Sequence, residues 1–134
     1  MFVSYNLYKK LLSLCFLVFA SIPLGLAQQV NVDSLRNLLP SLNSESRVDV
    51  LNQLGTELRE RSQQEAMDYS FEADSIAKEI QYLSGEARAK ENIGWINYRR
   101  GKWQTAFEYS ETAFGLATQI NDSLQIARIL NNIG

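Results

Sequence analysis

From Leu11 to Ile22 the chain is an apolar run, LLSLCFLVFASI, standing behind Lys9 and Lys10. Past Pro40 the pattern changes. Apolar and small residues now recur every third or fourth position, which places them along one face of an α-helix. In QEAMDYSFEADSIAKEI, Gln64 to Ile80, the stripe is Ala66, Ser70, Ala73 and Ala77; in QTAFEYSETAFGLATQI, Gln104 to Ile120, the same stripe returns. The spacing predicts a short lead-in helix over Asp33–Leu39, stopped by Pro40. Longer helices follow over Ser46–Glu60, Gln63–Gln81, Glu86–Arg100, Trp103–Ile120 and Ser123–Gly134. Only two prolines and seven glycines interrupt the chain, so an all-α fold is expected.

Boundary signals agree with this division. Ser62-Gln-Gln-Glu65 has the spacing of a capping box, in which Ser62 caps the helix and Glu65 reaches back. Asp122-Ser-Leu-Gln125 has the same spacing in a weaker form. Gly101 stands between two helical stretches, where a left-handed residue closes a helix. Ser84 or Gly85 is expected to break the chain before Glu86.

Moving the chain by forty residues superimposes it on itself. Gln64, Ala66, Tyr69, Ser70, Ala73, Ala77 and Ile80 meet Gln104, Ala106, Tyr109, Ser110, Ala113, Ala117 and Ile120. Ala87, Arg88, Asn92, Ile93 and Gly94 meet Ala127, Arg128, Asn132, Ile133 and Gly134. Self-similarity at a fixed period is the mark of a solenoid, in which each unit buries its apolar face against the next. The small-residue stripe fits this, because small side chains let a second helix approach closely and a larger one would overpack the contact.

The stretch NIGWINYRRGKWQTAFEYSETA resembles the tetratricopeptide repeat. Gly94, Gly101, Ala106 and Ala113 hold that family's small-residue positions, and Ile93 its large apolar position. The preceding repeat matches at Leu54, Gly55, Leu58, Ala66 and Ala73, with one residue fewer in the turn. The period of forty exceeds the family's usual length of about 34, and Asn97 stands where a tyrosine is common. The resemblance implies an α-solenoid of antiparallel helix pairs wound into a right-handed superhelix. Its repeats would span about 45–84 and 85–122, with an incomplete third at 123–134, after a lead-in segment at 28–44. It also implies that the first helix of each repeat lines a groove for a protein or peptide segment. By position, the groove candidates are Asn52, Thr56 and Arg59 from the first repeat. The second offers Arg88, Glu91, Asn92, Trp95, Tyr98 and Arg99. Arg88 with Arg99 forms a candidate clamp for a carboxylate, and Trp103 is expected to anchor a helix start by packing.

The long-period form is similar to exported bacterial domains that stand ahead of a membrane helix and a signalling output. On that resemblance the chain is the N-terminal sensory or interaction part of a longer protein. The alternative is a fragment of a sensor histidine kinase or regulator whose output lies beyond Gly134. A third expectation is self-association through the uncapped last helix. There Ile126, Ile129, Leu130 and Ile133 are expected to be exposed.

Composition narrows the chemistry. The chain lacks histidine, which removes imidazole bases and histidine-ligated metals. Cys15 is its one cysteine, so no internal disulfide can form and thiolate metal sites are not expected. A net charge of -2 gives no general attraction to nucleic acid or anionic lipid. Acidic residues sit beside basic ones at i,i+4, as in Glu57–Arg61 and Glu86–Lys90, which is the pattern of a solvated helix face. No phosphate-binding glycine motif is present. No catalytic residue, cofactor or metal is expected. Residues 1–27 read as a signal peptide, with Gly25 to Ala27 offering small residues ahead of Gln28. The apolar run is shorter than the roughly twenty residues of a spanning helix; an uncleaved anchor is the alternative. Leu14 before Cys15 is a poor match to lipid-attachment motifs. The expected location is exported, either periplasmic or membrane-anchored and facing the periplasm. Membrane attachment is expected only through that leader or a downstream helix.

Overall fold

A computed structural model describes residues 32–133. The expected signal peptide and the Leu11–Ile22 run lie outside the described residues. Every regular element described is helical. Helix α1 covers residues 32–38 and closes in a 3-10 turn, Leu39–Ser41, that contains Pro40. It is followed by α2 (Ser44–Leu58), α3 (Gln63–Glu79), α4 (Leu83–Arg99), α5 (Trp103–Gln119) and α6 (Ser123–Ile133). The connections from α2 onward are three or four residues long, short enough to turn each helix back against the one before it.

The turns repeat with the sequence. Gln81 and Asn121, forty residues apart, both adopt a left-handed backbone at φ 58° and 55°. In each case the next residue donates its N–H back across the turn. Tyr82 reaches the Ala77 carbonyl at 2.8 Å, and Asp122 the Ala117 carbonyl at 3.0 Å. This is the six-to-one bond that closes a helix. Gly101, at φ 72°, does the same between α4 and α5, with Lys102 donating to Asn97 at 2.9 Å. The break before α4 is therefore at Gln81 and not at Ser84 or Gly85. Gly85 lies inside the first turn of α4 and is buried. The expectation failed because a glutamine rarely takes the left-handed region, whereas glycine does so freely.

The two capping boxes exchange roles. Ser62 precedes α3 without a side-chain cap, and Glu65 pairs with Arg36 of α1 instead. The weaker match forms the cap: Asp122 Oδ1 accepts the Gln125 N–H at 2.9 Å.

Packing follows the small-residue stripes. One core cluster joins Val32 and Leu35 of α1 to Leu54, Leu58, Ala66, Met67, Ile93 and Ile96. A second sets Ala73 and Ala77 of α3 against Val48, Leu51 and Ala89. A third seats Ile129 of α6 on Ala113 and Ala117 of α5, with Ile126 beside it. Two equivalent points bring neighbouring helices into close approach. A Cβ on Gly55 would lie 2.5 Å from Ser70 Oγ, and one on Gly94 would lie 2.7 Å from Ser110 Oγ. Ile129 is thus buried, contrary to the expectation for the last helix, because the α5 stripe already provides its seat. Leu130 is exposed.

Candidate functional site

The groove candidates lie on α2, at its C-terminal end and on α4, and the structure divides them into three groups.

The amides form the first group. Asn52 and Asn92 are buried. Asn52 Nδ2 donates to the Gly85 carbonyl at 2.9 Å, and Asn92 Nδ2 donates to the Asn52 carbonyl at 3.0 Å. The Thr56 hydroxyl lies 3.1 Å from Asn92 Oδ1. These side chains join α2 to α4. A buried amide needs such partners, since leaving it unpaired costs about 1–3 kcal/mol.

The second group surrounds Trp95, which is partly buried against the first core cluster. Arg59 lies over its ring at 4.6 Å and Arg99 at 5.5 Å from the centroid. Both distances are within cation–π range. Arg99 also approaches Glu60 at 4.0 Å, between two exposed side chains. Tyr98 is exposed and meets Trp103 edge-on, with ring centroids 5.1 Å apart. Trp103 is 63% exposed. It is therefore a surface aromatic rather than the expected buried packing anchor, with Tyr98 as its ring partner.

The third group is electrostatic. Glu91 of α4 is buried and faces α6, where Asn132 Nδ2 donates to its Oε1 at 3.0 Å and Arg128 lies 3.4 Å from its Oε2. Burial raises the Glu91 carboxyl above its ordinary value, against the attraction of Arg128, Arg59 and Arg88 and the hydrogen bond from Asn132. Burial likewise holds the Arg59 guanidinium below its ordinary value, against the pull of Glu91 and Glu60.

Arg88 and Arg99 are eleven residues apart on α4, or about 16 Å along the axis. One carboxylate does not span that distance. Arg88 instead shares a polar cavity of about 390 Å³ with Arg128, its counterpart forty residues on. Asp49, Gln53, Tyr82 and Gln125 complete much of the lining. Gln125 Nε2 and Arg128 Nε are buried there without a hydrogen-bond partner among the described residues. Asp49 is engaged by the Tyr82 hydroxyl at 3.0 Å, and Asp122 by the α6 cap. The cavity therefore sets two guanidinium groups beside two partly engaged carboxylates. The Arg88–Arg128 match is visible in the forty-residue register and was the signal for this pairing. Gln125 read as a cap residue, and nothing local marked it as facing a cavity.

The pair Glu86–Lys90 is not solvated. Lys90 Nζ lies 3.6 Å from Glu86 and 3.1 Å from Asp74, with its side chain 8% exposed. The Tyr109 ring lies 5.7 Å away, so α5 covers what the sequence pattern placed on the surface.

Among the described residues no helix is long and apolar enough to cross a membrane, and no cluster of acidic or cysteine side chains is arranged to hold a metal ion. Comparison with models of known protein families, with curated proteins and with solved structures returns no match.

Proposed function

We infer that this chain is a binding scaffold of the tetratricopeptide kind, which holds an extended peptide or protein segment against α2, α4 and α6. The observation that carries the reading is the polar cavity. Arg88 and Arg128 bring two guanidinium groups to its wall. Guanidinium groups bind oxygen acceptors strongly, and a ligand that supplies carboxylate or carbonyl oxygens meets both. A peptide does so through its carbonyls and acidic side chains. Trp95, held between Arg59 and Arg99, and the exposed Tyr98 extend this surface with the aromatic and guanidinium groups common in protein contacts. With residues 1–27 taken as an export signal, the scaffold acts outside the cytoplasm, as the interaction part of a signalling protein.

A displayed library of random peptides, selected against the chain, tests the reading. Enriched peptides should carry acidic or carbonyl-rich segments and bind Arg88→Ala at least about tenfold more weakly, a loss of about 1.4 kcal/mol. Circular dichroism of that variant should stay helical. If no peptide is enriched over an unrelated helical protein, or Arg88→Ala binds undiminished, the scaffold reading fails at this site.

A further inference from the structure

The walls of the polar cavity carry both signs of charge. Arg88 of α4 and Arg128 of α6 stand with Asp49 of α2 and Asp122 at the head of α6, so the two guanidinium groups and the two carboxylates balance. At about 390 Å³ the cavity falls in the roughly 300–1,000 Å³ range of small-molecule sites. Gln125, 1% exposed, brings to it an Nε2 that has no hydrogen-bond partner among the described residues.

The forty-residue register sets this lining apart from packing between repeats. Arg88 recurs as Arg128, but Tyr82, Ser84 and Gly85 give way to Asp122, Leu124 and Gln125, and all eight residues line the one space. A Cβ on Gly85 would lie 2.5 Å from Val48 Cγ1, so packing against α2 sets that position. Its counterpart Gln125 carries a full amide to the cavity wall.

The charges select the ligand. A dianion such as phosphate meets the two carboxylates as well as the arginines, and a simple cation meets the arginines; like charges brought together this way are repelled. A zwitterion answers both signs. Its carboxylate suits the guanidinium groups. Its ammonium needs an acceptor, and Asp122 is committed to the α6 cap through the Gln125 N–H at 2.9 Å. Asp49 accepts the Tyr82 hydroxyl at Oδ1, 3.0 Å away, and an ionised carboxylate accepts at both oxygens. Gln53, Ser84 and Gln125 add neutral polar groups, which suit an amide or hydroxyl.

We propose that the polar cavity binds a free α-amino acid with a neutral polar side chain, its carboxylate on Arg88 and Arg128 and its ammonium on Asp49. The proposal rests on the scaffold reading in taking this cavity as the binding site, and it gives that site a regulator. The amino acid and a peptide compete for the same two guanidinium groups.

Isothermal titration calorimetry on the whole chain, with asparagine as the probe, tests it. Asparagine should bind saturably. N-acetylasparagine, which lacks the ammonium, and asparaginamide, which lacks the carboxylate, should each bind about tenfold more weakly or worse, as should asparagine to Arg88→Gln. Asp49 is exposed on α2, so Asp49→Asn should stay helical by circular dichroism. That variant should lower asparagine to the affinity of N-acetylasparagine and leave N-acetylasparagine itself unchanged. No binding of asparagine would overturn the proposal. So would N-acetylasparagine binding as tightly as asparagine, or inorganic phosphate binding more tightly, since either marks a plain anion site. The peptide selection described above keeps the two readings apart. Enriched peptides without asparagine binding would keep the scaffold and remove the regulator; asparagine binding without enriched peptides would do the reverse. Where both bind, asparagine should displace the peptide, and failure to displace it would overturn the shared site.

Discussion

Gly94 and Gly115 are both glycines within helices, yet they face opposite situations. A Cβ at Gly94 would meet Ser110 Oγ at 2.7 Å and the Ala106 carbonyl at 3.3 Å, while one at Gly115 would meet nothing within 4 Å. Gly94→Ala should therefore destabilise by about 1–3 kcal/mol through overpacking. Gly115→Ala should stabilise by about 0.5–1 kcal/mol, since glycine is the poorer helix former. Urea midpoints of the two variants check both signs. Glu91 makes a prediction in pH. Its carboxyl is raised by burial, so the folded chain holds that proton more tightly than the unfolded chain does. The resulting stabilisation is fully present below the ordinary carboxylate pKa and is lost as pH rises through the raised value. Glu91→Gln should flatten the fall of stability as pH rises above the ordinary carboxylate range; an unchanged slope would mean that Arg128 and Asn132 offset burial. The residue types of this site were legible in sequence, but not their surroundings. Asn52 and Asn92 have the same composition whether they face a ligand or, as found, the neighbouring helix.

Between elements, the register exposes a change of chemistry at one interface. Asp74 and Lys78 of α3 meet Glu86 and Lys90 of α4 through contacts that include Lys78–Asp74 at 2.6 Å and Lys90–Asp74 at 3.1 Å. Forty residues on, the same positions of α5 and α6 are Phe114, Thr118, Ile126 and Leu130. The ionic positions of one interface carry uncharged side chains in the next. Lys90→Leu alone should cost about 1–3 kcal/mol, because it takes the partner from Asp74 Oδ1 while Lys78 still holds Oδ2. Asp74→Phe together with Lys90→Leu copies the later interface and should cost less than the two single changes added, by about 0.5–3 kcal/mol. Strict additivity in a double-mutant cycle would show that the two positions are not coupled. The helices themselves were legible because the apolar period is local. Their exact starts were less so: α4 begins at Leu83, since the turn is closed by Gln81, a residue that carries no turn signal.

Across the whole described unit the two ends differ. At the first, α1 places Val32 and Leu35 in the core shared by α2, α3 and α4, and Arg36 reaches Glu65. Val32→Asp with Leu35→Asp should undock α1 and remove about 3 kcal/mol or more, at about 1.5–3 kcal/mol for each buried aliphatic side chain. Loss of exchange protection in residues 32–38 without loss of α5 would confirm that the damage is local to that end. At the other end, Leu130, Phe114, Phe107 and Trp103 remain exposed. The asymmetry could not be seen from periodicity, which gives the same stripe to α3 and α5 whether or not a further helix lies against them.

The sequence by itself determined the helices and the forty-residue repetition, including the small stripe on α3 and α5 that lets neighbouring helices meet at Gly55–Ser70 and Gly94–Ser110. These properties depend on spacing along the chain, and a helix converts spacing directly into a face. The tertiary structure decided which polar groups are free. Glu65 leaves its cap for Arg36, Lys90 is covered by Tyr109 of α5, and Asn92 turns to α2, while Arg88 lines a polar cavity. A polar side chain finds its partner across helices, at distances that local sequence does not encode. Only the packed arrangement separates the groups that hold the fold from those left to bind.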